Sequence, residues 1–149
     1  MPTQTSYTQF QPAGYPGMHA DMREWDGATK TATADIAFGA PVQRSGDSGC
    51  SPLTTGEYIG IAKAMHLVTG VGDKYIAGDN VPVIDEGAWY VLAGKAIAAG
   101  AAVNFDSSTG KWTDAAVAGN VRAVTQAEAE TGASGDNAIF KVRLRRIPS

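Results

Sequence analysis

The chain has one cysteine, two histidines and no surplus of positive charge. A single thiol, Cys50, cannot close an intramolecular disulfide, which argues against a small secreted scaffold held by cross-links. Twelve Lys and Arg stand against fifteen Asp and Glu, for a net charge of −3. Nucleic acid is therefore not expected as a partner, because neutralising phosphates needs an excess of cations on one face. No stretch approaches the roughly 18 consecutive apolar residues of a membrane-spanning helix. The opening residues also lack the basic cluster and apolar run of a signal peptide. No membrane partner is expected, and synthesis in a cytoplasm-like setting is.

Large aliphatic side chains are also scarce. Val, Ile, Leu and Phe together make up 27 of 149 residues, whereas Ala alone supplies 25. So thin a set would suggest disorder in a highly charged chain, but the charge here is nearly balanced. A chain of 149 residues is one compact domain with at most an appended arm. Without a large core or a disulfide, its missing stability is expected from a partner surface, in an oligomer or a larger assembly.

Two regions differ in composition. Residues 1–33 are rich in Gln, Thr, Pro and Gly, with Tyr7, Phe10, Tyr15, Met18, Met22 and Trp25 widely spaced among them. Pro2, Pro12, Pro16, Gly14, Gly17 and Gly27 would interrupt a helix or strand, so this region reads as an extended arm. Its aromatics either tack the arm onto its own domain or dock it on another subunit. Residues 34–149 instead show short Val-, Ile- and aromatic-rich runs cut by Gly-containing turns, the pattern of an all-β sandwich or barrel. Strands are predicted over 36–43, 57–68, 80–85, 88–93, 102–106, 111–113, 120–125 and 137–146. The last alternates best, with Phe140, Val142 and Leu144 on one face and Lys141, Arg143 and Arg145 on the other. Only residues 93–99 and 125–131 could be helical, and both are short.

One pattern recurs three times: Ile-Ala, then Gly, then two residues, then Val. It occurs in 35–42, 75–81 and 96–103. A Gly at positive φ would turn the chain and return it to a strand beginning at the Val. The unequal spacings do not describe a solenoid.

Chemical motifs are weak. Gly46-Asp47-Ser48-Gly49 matches the segment around a serine-protease nucleophile, but the only upstream histidine is His19, in the arm. His19, His66 and Cys50 are scattered singly, unlike the ligands of a zinc site. Gly70-Val71-Gly72-Asp73 lacks the third glycine and the strand-to-helix setting of a phosphate loop. Asp85 and Glu86 are adjacent, which suits a turn better than paired acid–base work. Gly78-Asp79-Asn80-Val81 has the look of a turn in lipoyl and biotinyl carrier domains, yet neither Lys74 nor Lys95 has the flanking residues of a modified lysine. No catalytic, cofactor-binding or metal-ligating residue is assigned, and no enzyme activity is expected.

The order of segments carries more. After the arm come Ile36-Ala37-Phe38-Gly39-Ala40-Pro41-Val42, Glu57-Tyr58-Ile59-Gly60-Ile61-Ala62 and Tyr75-Ile76-Ala77-Gly78-Asp79-Asn80-Val81-Pro82-Val83. Gly87-Ala88-Trp89-Tyr90-Val91 follows, then Ile97-Ala98-Ala99-Gly100-Ala101-Ala102-Val103-Asn104-Phe105-Asp106, then Gly110-Lys111-Trp112. The set, over about residues 10–145, resembles the structural cement, or head decoration, proteins of tailed bacteriophages. The resemblance implies a small β-barrel or jelly-roll-like sandwich without catalytic residues. It further implies a place on the outer capsid surface of the virion, where the protein bridges and stabilises major capsid subunits after synthesis in the host cytoplasm. Self-association as a homotrimer, or otherwise a homodimer, is implied by the same family. On this reading Tyr7, Phe10, Tyr15 and Trp25 are candidate anchors on neighbouring subunits. The stripe Lys141, Arg143, Arg145 and Arg146 is either the charge guard of an edge strand or a contact with an acidic patch of the shell. Removing residues 2–26 is expected to leave a folded domain that no longer attaches. The alternatives are a tail or receptor-binding virion component and, behind it, a lipoyl- or biotinyl-type carrier.

Overall fold

A computed structural model describes residues 14–65, 72–124 and 126–145. The described residues form thirteen strands and no helix: β1 Gly27–Ala32, β2 Ile36–Ala37, β3 Pro41–Ser45, β4 Gly49–Pro52, β5 Tyr58–Ala62, β6 Lys74–Tyr75 and β7 Asn80–Ile84, followed by β8 Gly87–Leu92, β9 Asn104–Asp106, β10 Lys111–Thr113, β11 Val121–Arg122, β12 Ala127–Ala129 and β13 Ile139–Leu144. The expected all-β class holds, and its main body is a closed barrel in the order β1-β4-β3-β5-β7. Closure removes the exposed edges that short strands would otherwise present. Only the β1–β4 pair is parallel; the other barrel pairs are antiparallel.

Against the barrel lie a sheet β12-β13-β8, a sheet β10-β9-β11 and the small pair β2-β6. One continuous core joins them, with Trp89, Trp112, Tyr75 and Phe140 its largest fully buried side chains. Because aliphatics are few, these aromatics fill the space, and their polar atoms find backbone partners. Trp112 Nε1 donates to Gly39 O at 3.2 Å, Trp89 Nε1 to Glu86 O at 3.0 Å, and the Tyr75 hydroxyl to Lys63 O.

The recurring glycine pattern does what its chemistry suggests. Gly39, Gly78 and Gly100 have φ of 78°, 96° and 84°, and the valines three residues on, Val42, Val81 and Val103, are buried. Strand β13 alternates as read from sequence, with Phe140, Val142 and Leu144 buried.

Three expectations change. Residues 27–32 fall within the span read as arm, yet they form barrel strand β1, paired with β7 from Gly27↔Ile84 to Thr31↔Asn80. The extended segment therefore ends at Asp26. The helix considered over 125–131 is replaced by β12, where Ala127 and Ala129 are buried and Glu128 points outward; a period of two on a strand partner outweighs the helix propensity of Ala and Glu. Residues 93–99 contain no helix; Ile97 instead bridges Ala133 across strand-like backbone.

Candidate interaction surface

Residues 14–26 run across the barrel's companion sheet as a strap. Residues 17–20 lie antiparallel to β8: Gly17 N–H donates to Tyr90 O (2.8 Å), Tyr90 N–H to Met18 O (3.0 Å) and Ala20 N–H to Ala88 O (2.9 Å). They cover the β8 edge that β13 leaves open. The strap can lie so close because two glycines meet beneath it. A Cβ on Gly17, at φ +83°, would stand 2.7 Å from Ala64 N and 2.9 Å from Gly39 N; one on Gly39 would stand 2.8 Å from Gly17 N. Backbone therefore packs on backbone, and Ala64 N–H donates to Gly17 O at 2.9 Å.

Further along, His19 and Trp25 clasp the buried Trp89. The His19 ring lies 4.6 Å from it, Trp25 meets it edge-on at 6.0 Å, and Lys63 Nζ sits 4.7 Å over the Trp25 ring. Between them, Arg23 forms an ion pair with Glu130, adjacent to β12, and lies 3.6 Å from Asp21. The hydrogen bond from Arg23 holds the Glu130 carboxyl below the usual carboxylate range, and the same bond raises the Arg23 guanidinium further.

The strap keeps apolar surface outside. Of the six large hydrophobics that remain exposed among the described residues, Tyr15 (40%), Trp25 (45%) and the fully exposed Met22 are on the strap, and Met65 (39%) is just past β5, where Lys63 and Ala64 touch the strap. The aromatics thus serve their own domain and still present a face outward. Tyr7 and Phe10 lie outside the described residues. Met65 carried no signal in the sequence, since only the fold brings the end of β5 beside the arm.

The basic stripe is placed differently from an edge guard. Strand β13 is central, between β12 and β8. Arg145 forms an ion pair with Glu128 at 2.6 Å, Arg143 lies 4.0 Å from the same carboxylate, and Lys141 Nζ is 5.7 Å over the Tyr90 ring. Arg146 lies outside the described residues. The stripe is thus interleaved with acid from β12 rather than a bare cationic patch.

The weak chemical motifs fall apart in space or serve structure. The Ser48 carbonyl accepts from Thr31 N–H at 2.9 Å beside β1, whereas His19 is stacked on Trp89. Cys50 is buried in β4, and burial pushes its thiol up, away from a reactive thiolate. Lys74 and Lys95, weighed as carrier lysines, pair with Asp35 (2.8 Å) and Asp114 (3.0 Å). His66 lies outside the described residues. No group of three or more potential metal ligands occurs among the described residues.

Residues 3–145 match the family described as structural cement protein (E217 gp24/Pam3 gp6). A chain from the capsid of Myoviridae phage XM1 has a similar structure, with a TM-score of 0.75 over 99% of this chain and 100% of that one, at 17% identity. Identity that low speaks for the fold alone. No curated protein matches. The match spans nearly the whole sequence and agrees with the resemblance read from the order of its Ile-Ala-Gly segments, so this chain belongs to the structural cement protein family and has a structural role in a phage capsid.

Proposed function

We propose that this protein decorates the outer surface of a phage head, binds major capsid subunits and stabilises the shell by bridging them. It has no catalytic role on this reading. The observation that carries the proposal is the strap: a segment fixed to its own domain by backbone pairing and the Arg23–Glu130 ion pair still turns Tyr15, Met22 and Trp25 outward, and Met65 is exposed next to Ala64, which donates to Gly17 O. Three exposed large apolar side chains on one segment of a chain with so few of them mark a surface that is covered in the assembled state. The protein is made in the host cytoplasm, self-associates as a homotrimer in preference to a homodimer, and joins the virion by binding the major capsid protein. Tyr7, Phe10 and the stripe Lys141, Arg143, Arg145 and Arg146 add contacts. Cementing is then mass action: a protein that binds only the assembled lattice stabilises it, and bridging two subunits adds avidity to modest single contacts.

The test is copy number in purified virions, measured by mass spectrometry against the major capsid protein. Hundreds of copies in a simple ratio to the capsid protein are expected. A handful would assign the chain to a tail or vertex instead. On capsids stripped of the protein, Trp25→Ala is expected to reattach at least tenfold more weakly than wild type, while the barrel stays folded.

A further inference from the structure

A cleft of about 660 Å³ opens between the barrel and the ends of the companion sheets, on a different set of residues from the strap. From the barrel it is lined by Arg44, Glu57 and Tyr58, with Asp85 from the β7–β8 turn; Arg122 of β11 and Arg145, just past β13, come from the other side of the fold. Its volume is in the range of sites that hold a small ligand or an inserted side chain. Its rim is preorganised, because Gln43 Oε1 accepts from both Thr54 N–H and Gly56 N–H at 2.8 Å and so pins the 53–57 loop.

The charges in the cleft are not equally committed. Arg145 is held by Glu128 at 2.6 Å, and Arg44 lies 3.9 Å from Glu57. Arg122 has no ion-pair partner among the described residues, and its Nε is buried without a hydrogen bond. The Tyr58 hydroxyl is likewise buried without a partner. Burial, and secondarily Asp85, push its pKa up, so it stays protonated and able to donate. Two buried donors left unpaired are costly and call for an acceptor. Counted with Glu128, which holds Arg145, three guanidinium groups face three carboxylates, so it is the two unpaired donors and not a net charge that mark the cleft.

We propose that this cleft receives a carboxylate side chain, Asp or Glu, from an acidic loop of the capsid protein to which the chain attaches, with Arg122 Nε–H and Tyr58 Oη–H as its donors. The partner rests on the function proposed above; the carboxylate site itself does not. A carboxylate suits the pair because it is acceptor-only and carries two oxygens, so that it can satisfy both donors at once. The nearby Asp85 and Glu57 disfavour a dianion such as phosphate more than they disfavour a single carboxylate.

Two arms test this. In the first, propionate, a single carboxylate like an Asp or Glu side chain, is titrated into the full-length protein while the Arg122 Nε–H resonance is followed by NMR. Saturation in the millimolar range, about 1–10 mM for one charge-assisted contact, is expected. Tyr58→Phe should weaken this response, and in Arg122→Met, which lacks that reporter, the response of the Thr54 and Gly56 backbone amides at the cleft rim should be lost. No shift at ~50 mM propionate, or a tighter response to orthophosphate, overturns the carboxylate assignment. In the second arm, Arg122→Met and Tyr58→Phe are bound to capsids stripped of the protein, with thermal unfolding to confirm their fold. Losses of about tenfold and about threefold are expected, and wild-type attachment by both overturns the docking role. If wild-type protein itself does not attach, the cement reading fails, while the propionate titration still decides the site.

Discussion

Replacing Gly17 by Ala should undo the strap while sparing the barrel. The left-handed φ of +83° costs a side chain about 1–2 kcal/mol. The new Cβ would also stand 2.7 Å from Ala64 N and 2.9 Å from Gly39 N, backbone atoms that cannot rotate away as a side chain can. Relieving that overlap moves the strap and breaks the bonds Gly17 N–H→Tyr90 O and Ala64 N–H→Gly17 O, each worth about 1 kcal/mol. The combined effect is roughly 3–4 kcal/mol on strap docking, which corresponds to at least a hundredfold or so more frequent opening. Hydrogen exchange reads this directly, at the Tyr90 amide bonded to Met18 O and the Ala20 amide bonded to Ala88 O. Gly46→Ala is the control: φ there is +71° with no atom within 4 Å of a Cβ, so it carries conformational strain alone and should leave both amides protected. Unchanged exchange at Tyr90 and Ala20 in Gly17→Ala would refute the backbone-on-backbone account of the strap.

Other outcomes follow from the same contacts. Glu130 has a depressed pKa in the folded protein, so its pairing with Arg23 contributes fully above the usual carboxylate range and is lost as pH falls through the folded value. Strap amides should therefore exchange faster in acid, and Glu130→Gln should remove that pH dependence while costing no more than about 1 kcal/mol at neutral pH. Phe140→Ala empties a fully buried aromatic site in β13 and is expected to lower unfolding free energy by about 3–5 kcal/mol in urea titrations; a loss under 1 kcal/mol would show that the aromatics do not carry the core. Attachment to capsids through Lys141, Arg143 and Arg145 should weaken between ~50 mM and ~0.5 M salt, and Glu128→Gln should increase the salt dependence by releasing Arg143 and Arg145; attachment indifferent to salt would remove the stripe from the interface.

Deleting residues 2–26, which the sequence suggested as a clean cut, stops just short of β1 but strips the β8 edge of its hydrogen bonds and Trp89 of two ring contacts. A cut at residue 13 keeps those contacts and is the better probe of Tyr7 and Phe10. The two deletions should differ in thermal stability, with the longer one lower.

Local chemistry decided much of this protein. The all-β class, the alternation of β13 and the return of the chain at Gly39, Gly78 and Gly100 follow from side-chain periodicity and from the freedom of glycine at positive φ, both properties of short segments. Four features belong to the tertiary structure. Strand β1, Gly-Ala-Thr-Lys-Thr-Ala, has too little apolar patterning to announce itself and is a strand because β7 and β4 supply partners. Ala127–Ala129 is a strand because burial beside β13 outweighs propensity. The arm aromatics could have served their own domain or another; Trp25 is bound to Trp89 and Lys63 within the chain, yet remains 45% exposed. That residues as far apart in sequence as Tyr58 and Arg122 line one cleft likewise depends on chain closure, and no sequence spacing encodes it.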